Sequence, residues 1–156
     1  MQGRHYEEFK LGECFTTSRR TISETDIVHF VNLAGLTEPL FTDKEHWESI
    51  FGKRLAPGFL TLAISQGLMV QLGLTHGTAQ GLLGIDEIRT PKPVFCDDTI
   101  HVEIEIVDQK HTKHPDRGIL KLKLEVKNQN EEMVLSYFHT MLVCRRVISE
   151  QGADRS

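Results

Sequence analysis

The segment from residue 57 to residue 72 constrains the fold more than any other part of this chain. It reads Pro-Gly-Phe-Leu-Thr-Leu-Ala-Ile-Ser-Gln-Gly-Leu-Met-Val-Gln-Leu and carries no charged residue. A helix that is apolar nearly all round is buried on most sides instead of lying on a surface. Pro57 suits the N-terminus of this helix, where its missing N–H is no loss. Gly67 costs about 1 kcal/mol of helix propensity relative to alanine, which predicts that another group packs closely against it.

After this helix, apolar residues recur at every second position, which is the pattern of β-strands. In residues 99–107 apolar and polar side chains alternate. The apolar face consists of Ile100, Val102, Ile104 and Ile106, and the polar face of His101, Glu103 and Glu105. Similar patterns predict strands at 82–89, 118–127 and 134–145, with a turn at 128–132. Such alternation indicates an antiparallel sheet with one dry face.

The residues before the central helix predict one strand and two helices. Residues 14–22 are rich in Thr and β-branched side chains and form the first strand. Ser23 is the N-cap of a helix, with Asp26 in a capping-box position, and Gly35 ends that helix. A second helix is predicted to start at Asp43 and to end at Gly52, with three side chains directed inward: Trp47, Ile50 and Phe51.

This order of elements predicts an α+β hot-dog fold, in which an antiparallel sheet of about five strands wraps around the buried central helix. The sheet would keep a bare edge, and pairing with a second copy would cover it, so we expect a homodimer. We expect one domain over residues 1–147 and a disordered C-terminal tail over residues 148–156.

Charge and cysteine content exclude several classes of function. The net charge of -4 argues against a protein that binds nucleic acid, which needs a concentrated basic surface. The three cysteines are widely spaced and include no CxxC pair, so we expect free, buried thiols in the cytoplasm, with neither a disulfide framework nor a metal site. The N-terminal residues have no apolar signal-peptide core, and no apolar run approaches membrane-spanning length. The basic residues 110–113 are interpreted as a solvated hairpin tip, or as a contact for cofactor phosphates.

Residues 35–43 read Gly-Leu-Thr-Glu-Pro-Leu-Phe-Thr-Asp, which resembles the active-site loop of the MaoC-like acyl-CoA hydratase/dehydratase family. That loop is usually G-D-x-N-P-x-H-x-D, and its first Asp and its His transfer protons. Two further segments are similar to motifs of the same family. Residues 55–60, Leu-Ala-Pro-Gly-Phe-Leu, resemble the start of its central helix, and residues 93–100, Pro-Val-Phe-Cys-Asp-Asp-Thr-Ile, resemble the entry into its long strand.

The resemblance implies an enzyme that adds water to, or removes it from, an acyl chain activated as a CoA thioester. It implies no cofactor besides that thioester. The developing charge on the thioester oxygen would be stabilised at the N-terminus of the central helix, where the matching donor is the backbone N–H of Gly58. The surrounding substrate-binding positions would be Leu36, Thr37, Phe41, Ala56, Pro57 and Thr61.

The acid and base positions of the family are changed in this chain. Leu36 and Phe41 stand where the loop usually has Asp and His, and Pro57 stands where the helix start usually has His. In related dehydratases that act on acyl carrier protein, a catalytic Glu lies at the position of Ala63 here. Glu38, at the usual Asn position, is the candidate replacement acid or base, or alternatively a loop residue that faces solvent.

The other polar residues near these motifs have structural as well as functional interpretations. Asp43 suits a cap on the second helix, and the helical residues His29 and His46 suit packing or surface roles. In hot-dog thioesterases a residue of the central helix can orient a water, so Thr61 or Gln66 are candidates for this role; alternatively they form internal hydrogen bonds. Three functions therefore remain open: a hydratase or dehydratase, a non-catalytic acyl-CoA-binding protein, and an acyl-CoA thioesterase.

Overall fold

The structure is a computed structural model that describes residues 2–146. Its strands form one antiparallel sheet in the order β1-β4-β5-β6-β3, and the short strand β2 also pairs with β4. The strand bounds are Cys14–Thr16 (β1), Arg20–Thr21 (β2), Ala79–Arg89 (β3), Thr99–His111 (β4), Arg117–Lys127 (β5) and Met133–Cys144 (β6). The predicted tail at residues 148–156 lies outside the described residues.

Four α-helices lie in the first half of the chain, after a single turn of 3-10 helix at Tyr6–Glu8. Their bounds are Glu24–Ala34 (α1), Pro39–Thr42 (α2), Lys44–Phe51 (α3) and Gly58–Gln71 (α4). No helix in residues 2–146 is long and apolar enough to cross a membrane.

The predicted helix boundaries around α1 and α3 are confirmed by their caps. Ser23 and Asp26 form a reciprocal capping box, and Gly35 ends α1 in the left-handed conformation with φ 68°. The Asp43 side chain caps α3 by accepting hydrogen bonds from two backbone N–H groups of its first turn. The short helix α2, which begins with Pro39, was not predicted, since four residues are too few to show a helical period.

The predicted first strand at residues 14–22 is two short strands instead of one. Thr17, between them, is buried, and its hydroxyl accepts a hydrogen bond from the backbone N–H of Val102 at 2.9 Å. The hydroxyl also donates to the carbonyl of Ser18 at 2.8 Å. This side chain takes over part of the backbone pairing with β4, which interrupts the strand.

The core lies between α4 and the inner face of the sheet. The apolar positions predicted for β4 are all buried, and on α4 the residues Leu60, Ile64 and Leu68 are buried against them. The phenol of Tyr137 on β6 fixes the helix to the sheet through hydrogen bonds of 2.7 Å with Ser65 Oγ and with Gln66 Nε2.

Helix α4 is not buried on most sides within one chain, contrary to the expectation from its composition. Phe59 is 67% exposed and Val70 66% exposed. The adjacent edge strand β3 exposes Leu82 and Leu83 at 60% and 51%. Both α4 and β3, whose outer edge has no partner strand in residues 2–146, thus leave apolar side chains uncovered, and Phe59 and Leu82 line one common groove.

Three single-residue expectations were wrong. Ile50 is 54% exposed instead of directed inward, and Trp47 is the one buried residue of α3. A Cβ added at Gly67 would meet nothing within 4 Å, so no group of the described chain packs closely against it. His101 is buried although it lies on the polar face of β4, where residues of the β5–β6 turn approach it.

Candidate functional site

A cavity of about 350 Å³ lies at the N-terminus of α4. Residues of the helix start, of the segment before β4 and of the beginning of β6 line it: Phe51, Leu55, Ala56, Gly58, Thr61, Thr90, Lys92, Pro93, Val94, Val134 and Leu135. The lining thus includes three of the predicted site residues, Ala56, Gly58 and Thr61. Their separate positions in the sequence converge because the chain enters α4 beside the segment that leads into β4.

Backbone pairing holds the entry into α4 in place. Ala56 N–H donates to the Val94 carbonyl at 2.8 Å, and Cys96 N–H donates to the Arg54 carbonyl at 2.9 Å. Pro57 then serves as the buried N-cap, with φ -55° and ψ 139°. The helix start is consequently fixed by two hydrogen bonds to the strand entry and by the restricted φ of proline.

The first turn of α4 begins at this cavity, with Gly58 in the lining. The Pro57 carbonyl accepts the first helical hydrogen bonds, from Leu60 N–H at 3.0 Å and from Thr61 N–H at 3.2 Å. The N–H groups of Gly58 and Phe59 come before these bonds in the chain. Like the first N–H groups of any helix, they have no acceptor within the helix. Gly58 is exposed and lines the cavity, so its N–H lies where the helix dipole favours negative charge.

Thr61 adds a buried hydroxyl to the same cavity. The residue is only 2% exposed, and its Oγ1 has no hydrogen-bond partner among the described residues. An unpaired buried hydroxyl costs about 1–3 kcal/mol. The Oγ1 atom is itself buried, so a rotation about χ1 would be needed to bring this hydroxyl to a water or a ligand oxygen in the cavity.

A second, apolar groove of about 420 Å³ lies beside the same helix. Its lining comes from α1, the loop after α1, α4 and β3: Phe30, Ala34, Leu36, Phe59, Leu62, Ala63, Gln66, Leu82 and Ile85. None of these lining residues has an ionisable side chain. Leu36 and Ala63, the two positions where the motif resemblance leads one to expect an acid, therefore line one common apolar groove.

The remaining predicted site residues lie in the loop between α1 and α3. Thr37 and Glu38 are exposed and line neither the cavity nor the groove. Glu38 is the N-cap residue of α2, but its side chain forms no capping hydrogen bond. Phe41 is half-buried and packs against the hydrophobic core. The roles predicted for these three residues stay predictions.

The other polar residues singled out in the sequence form hydrogen bonds within the fold or lie at the surface. Gln66 donates its side-chain hydrogen bond to Tyr137, and Asp43 caps α3. His29 and His46 are exposed on their helices. The basic residues Lys110 and Lys113 are exposed at the end of β4 and in the loop that follows.

Sequence reasoning missed His139 on the inner face of β6. This histidine is 5% exposed, and its Nδ1 has no hydrogen-bond partner among the described residues. Burial lowers its pKa from 6.5 to about 4, so the imidazole is neutral near neutral pH. The alternation of β6 provides a signal for its burial, because His139 shares the parity of the buried residues Leu135, Tyr137 and Met141.

The sequence of this chain is similar to that of known proteins. A family model described as the MaoC like domain matches residues 8–128. Protein MaoC of Klebsiella aerogenes is 35% identical over 112 residues, which cover 71% of this chain and 32% of that protein. A mesaconyl-CoA hydratase of Cereibacter sphaeroides is 26% identical over 92% of this chain and 42% of its own length. The chain thus spans less than half the length of these two relatives.

Solved structures share the fold. A monoamine oxidase regulatory protein from Archaeoglobus has a TM-score of 0.87 and 34% identity, covering 94% of this chain and 98% of its own. A MaoC-like dehydratase from Rhodospirillum rubrum has a TM-score of 0.80 and 30% identity, covering 94% and 100%. A Mycobacterium tuberculosis protein described as a double hot-dog fold has a TM-score of 0.84 at 17% identity, covering 96% and 47%. The predicted hot-dog fold is confirmed.

Proposed function

Because this chain belongs to the MaoC-like domain family, we propose that it binds an acyl-CoA thioester at the N-terminus of α4. The observation that carries this proposal is the lining of the cavity, where the exposed residue Gly58 begins α4 and the buried hydroxyl of Thr61 has no partner among the described residues. A thioester carbonyl accepts hydrogen bonds and gains negative charge as it reacts. Backbone donors at a helix N-terminus stabilise such charge without reorganisation.

The acyl chain is proposed to lie in the apolar groove beside the helix. Gly58 lines the cavity and the next residue, Phe59, lines the groove, so both spaces flank the first turn of α4. Leu36 and Ala63 give the groove an apolar wall at positions where the motif resemblance leads one to expect an acid. Burial of an aliphatic chain on such a surface contributes about 0.8 kcal/mol of binding free energy for each CH₂ group.

We expect a second copy of this chain to cover the uncovered face of α4 and β3. Unpaired strand edges and large apolar patches are surfaces that proteins bury by association. A Leu83→Glu variant should shift the protein from dimer to monomer in sedimentation velocity. Leu33→Glu is the control, because Leu33 is 87% exposed but lies on α1, outside the face formed by α4 and β3. A dimer that persists in Leu83→Glu would contradict this assembly.

The role of Gly58 has a direct test because it is the first residue of a helix, the position that best tolerates proline. Gly58→Pro removes the single N–H, whereas Gly58→Ala keeps it, and an added Cβ would meet only Thr90 Cγ2 at 3.8 Å. Binding of enoyl-CoA and 3-hydroxyacyl-CoA thioesters is measured by calorimetry. We expect Gly58→Ala to bind like the parent and Gly58→Pro to bind at least tenfold more weakly. Equal affinities would refute the assignment.

Hydration or dehydration is the reaction proposed for the bound thioester, with Glu38 as the acid or base. Water adds its hydroxyl to Cβ and a proton to Cα, so the reaction is redox-neutral and requires no cofactor. Glu38 is exposed and outside both linings, so the geometry supports thioester binding better than it supports this proton transfer. The absorbance of the conjugated enoyl thioester reports turnover, and a Glu38→Gln variant as active as the parent would remove Glu38 from the mechanism.

Thioester hydrolysis is the second candidate, and the unpaired hydroxyl of Thr61 favours it. This hydroxyl would hold the attacking water beside a carbonyl bound at Gly58. The reaction releases free CoA thiol, which a thiol reagent detects. Thr61→Val should abolish that release and Thr61→Ser should retain it, whereas no release from acyl-CoA substrates of any chain length would exclude hydrolysis.

A further inference from the structure

The polar face of β4 carries a buried histidine that faces two carboxylates. His101 is buried, with 7% of its side chain exposed. Its Nε2 lies 3.6 Å from Glu131 Oε2 and 4.0 Å from Glu103 Oε1. These separations exceed hydrogen-bond distance, so the imidazole is directed at two carboxylates without bonding to either.

We propose that His101, Glu103 and Glu131 bind a divalent transition-metal ion such as Zn²⁺. Imidazole nitrogen and carboxylate oxygen are ligand atoms that zinc accepts, with metal–ligand distances of about 2.0–2.2 Å. Ligand atoms around a tetrahedral ion of that size are separated by about 3.3–3.6 Å. The three candidate atoms all lie within 4.8 Å of one another, so shifts of about an ångström bring them to these distances. Water would complete the coordination.

The other oxygen of each carboxylate is already paired with a basic side chain. Glu103 Oε2 accepts a hydrogen bond from Lys127 Nζ at 2.8 Å, which leaves its Oε1 directed at His101. Glu131 Oε1 accepts from Arg19 at 3.4 Å, which leaves its Oε2 directed at His101. Partners of this kind orient the carboxylates of metal sites and set which oxygen faces the ion.

The ligands come from parts of the chain that only the fold brings together. His101 and Glu103 lie two residues apart on the same face of β4, whereas Glu131 lies in the β5–β6 turn. Glu131 has a positive φ of 59°. A bound ion would therefore connect the turn to β4, and the next residue, Glu132, pairs with Lys92 in the lining of the candidate cavity.

Equilibrium dialysis of the untagged protein against ZnCl₂ in a buffer without chelators tests this site. The expected result is one ion per chain, with binding at least tenfold weaker in Glu131→Gln and in His101→Asn. Glu131 is exposed, so its variant is not expected to disturb folding. His76→Asn is the control, because His76 is exposed and belongs to no candidate metal site in the described chain.

Co²⁺ provides an independent readout through its visible absorption, which depends on the ligands. We expect the Co²⁺ spectrum of the parent to change in Glu131→Gln and to remain in His76→Asn. Either the lack of a stoichiometric site for Zn²⁺, or a site that keeps its affinity in Glu131→Gln, would overturn the proposal. If His101→Asn does not fold, the result with Glu131→Gln decides.

Discussion

The buried imidazole of His139 makes stability depend on pH in a calculable way. Its pKa is lowered by burial from 6.5 to about 4 in the folded chain. Because the folded-state pKa is depressed, the unfolded chain binds the proton more tightly, and acid favours unfolding. The stability that the folded chain retains by keeping this imidazole neutral is fully present above about pH 6.5. It is lost progressively as the pH falls toward about 4.

The magnitude follows from proton linkage. Between about pH 7.5 and about pH 5 the loss attributable to His139 is about 2 kcal/mol, and it approaches about 3 kcal/mol below the folded pKa. A loss of this size is a substantial part of the 5–15 kcal/mol range of stabilities typical of folded proteins.

Urea unfolding of the parent and of His139→Leu at these two pH values measures this loss. Leucine has a similar volume and does not titrate, so we expect the variant to lie within about 1.5 kcal/mol of the parent near pH 7.5. At about pH 5 the parent should have lost about 2 kcal/mol more than the variant. His46→Gln, a change at an exposed histidine, should behave like the parent.

The protein concentration is held constant in these measurements, because association also contributes to stability. All other ionisable groups are common to both proteins, so the difference between parent and variant isolates the effect of His139. Identical pH dependences of the free energy of unfolding would refute the assignment of a depressed pKa to this residue.

Three further substitutions test individual packing, capping and hydrogen-bond contacts of the fold. Tyr137→Phe removes both 2.7 Å hydrogen bonds to α4 and should cost about 1–3 kcal/mol in urea unfolding; an unchanged midpoint would contradict the role of the phenol. Gly118→Ala would place a Cβ against the ring of Tyr6 and should destabilise the fold by about 1–3 kcal/mol, a loss that the additional change Tyr6→Ala should reduce. Asp43→Ala removes the cap of α3 and should lower stability by about 1 kcal/mol, whereas Asp43→Asn should retain most of it.

The secondary structure was largely predictable because its signals are local. The alternation of β4 and the caps Ser23, Gly35 and Asp43 act within a few residues of chain, and the structure confirms each of them. The division of the first strand and the exposure of Ile50 were not predictable. Both depend on a neighbour distant in sequence, such as the backbone N–H that bonds to Thr17.

The candidate site was predictable only in part. Motif resemblance identified Gly58 and Thr61, and the structure brings both to one cavity. It does not bring Glu38 to that cavity. Glu38 is the N-cap residue of α2, a helix too short to be predicted from the pattern of the sequence. His139 was missed because its lowered pKa is caused by burial. Burial depends on tertiary packing, which the alternation of a strand only suggests.

The sequence by itself determined the order of the longer helices and strands, the dry face of the sheet and the absence of an acid or base at positions 36, 41 and 63. These features depend on residue type and spacing alone. Only the tertiary structure decided that Leu36 and Ala63 line one groove, that Thr61 has an unpaired hydroxyl and that His101 faces two carboxylates. Each of these depends on distances between side chains far apart in the chain, which are set when α4 packs on the sheet and the strands pair.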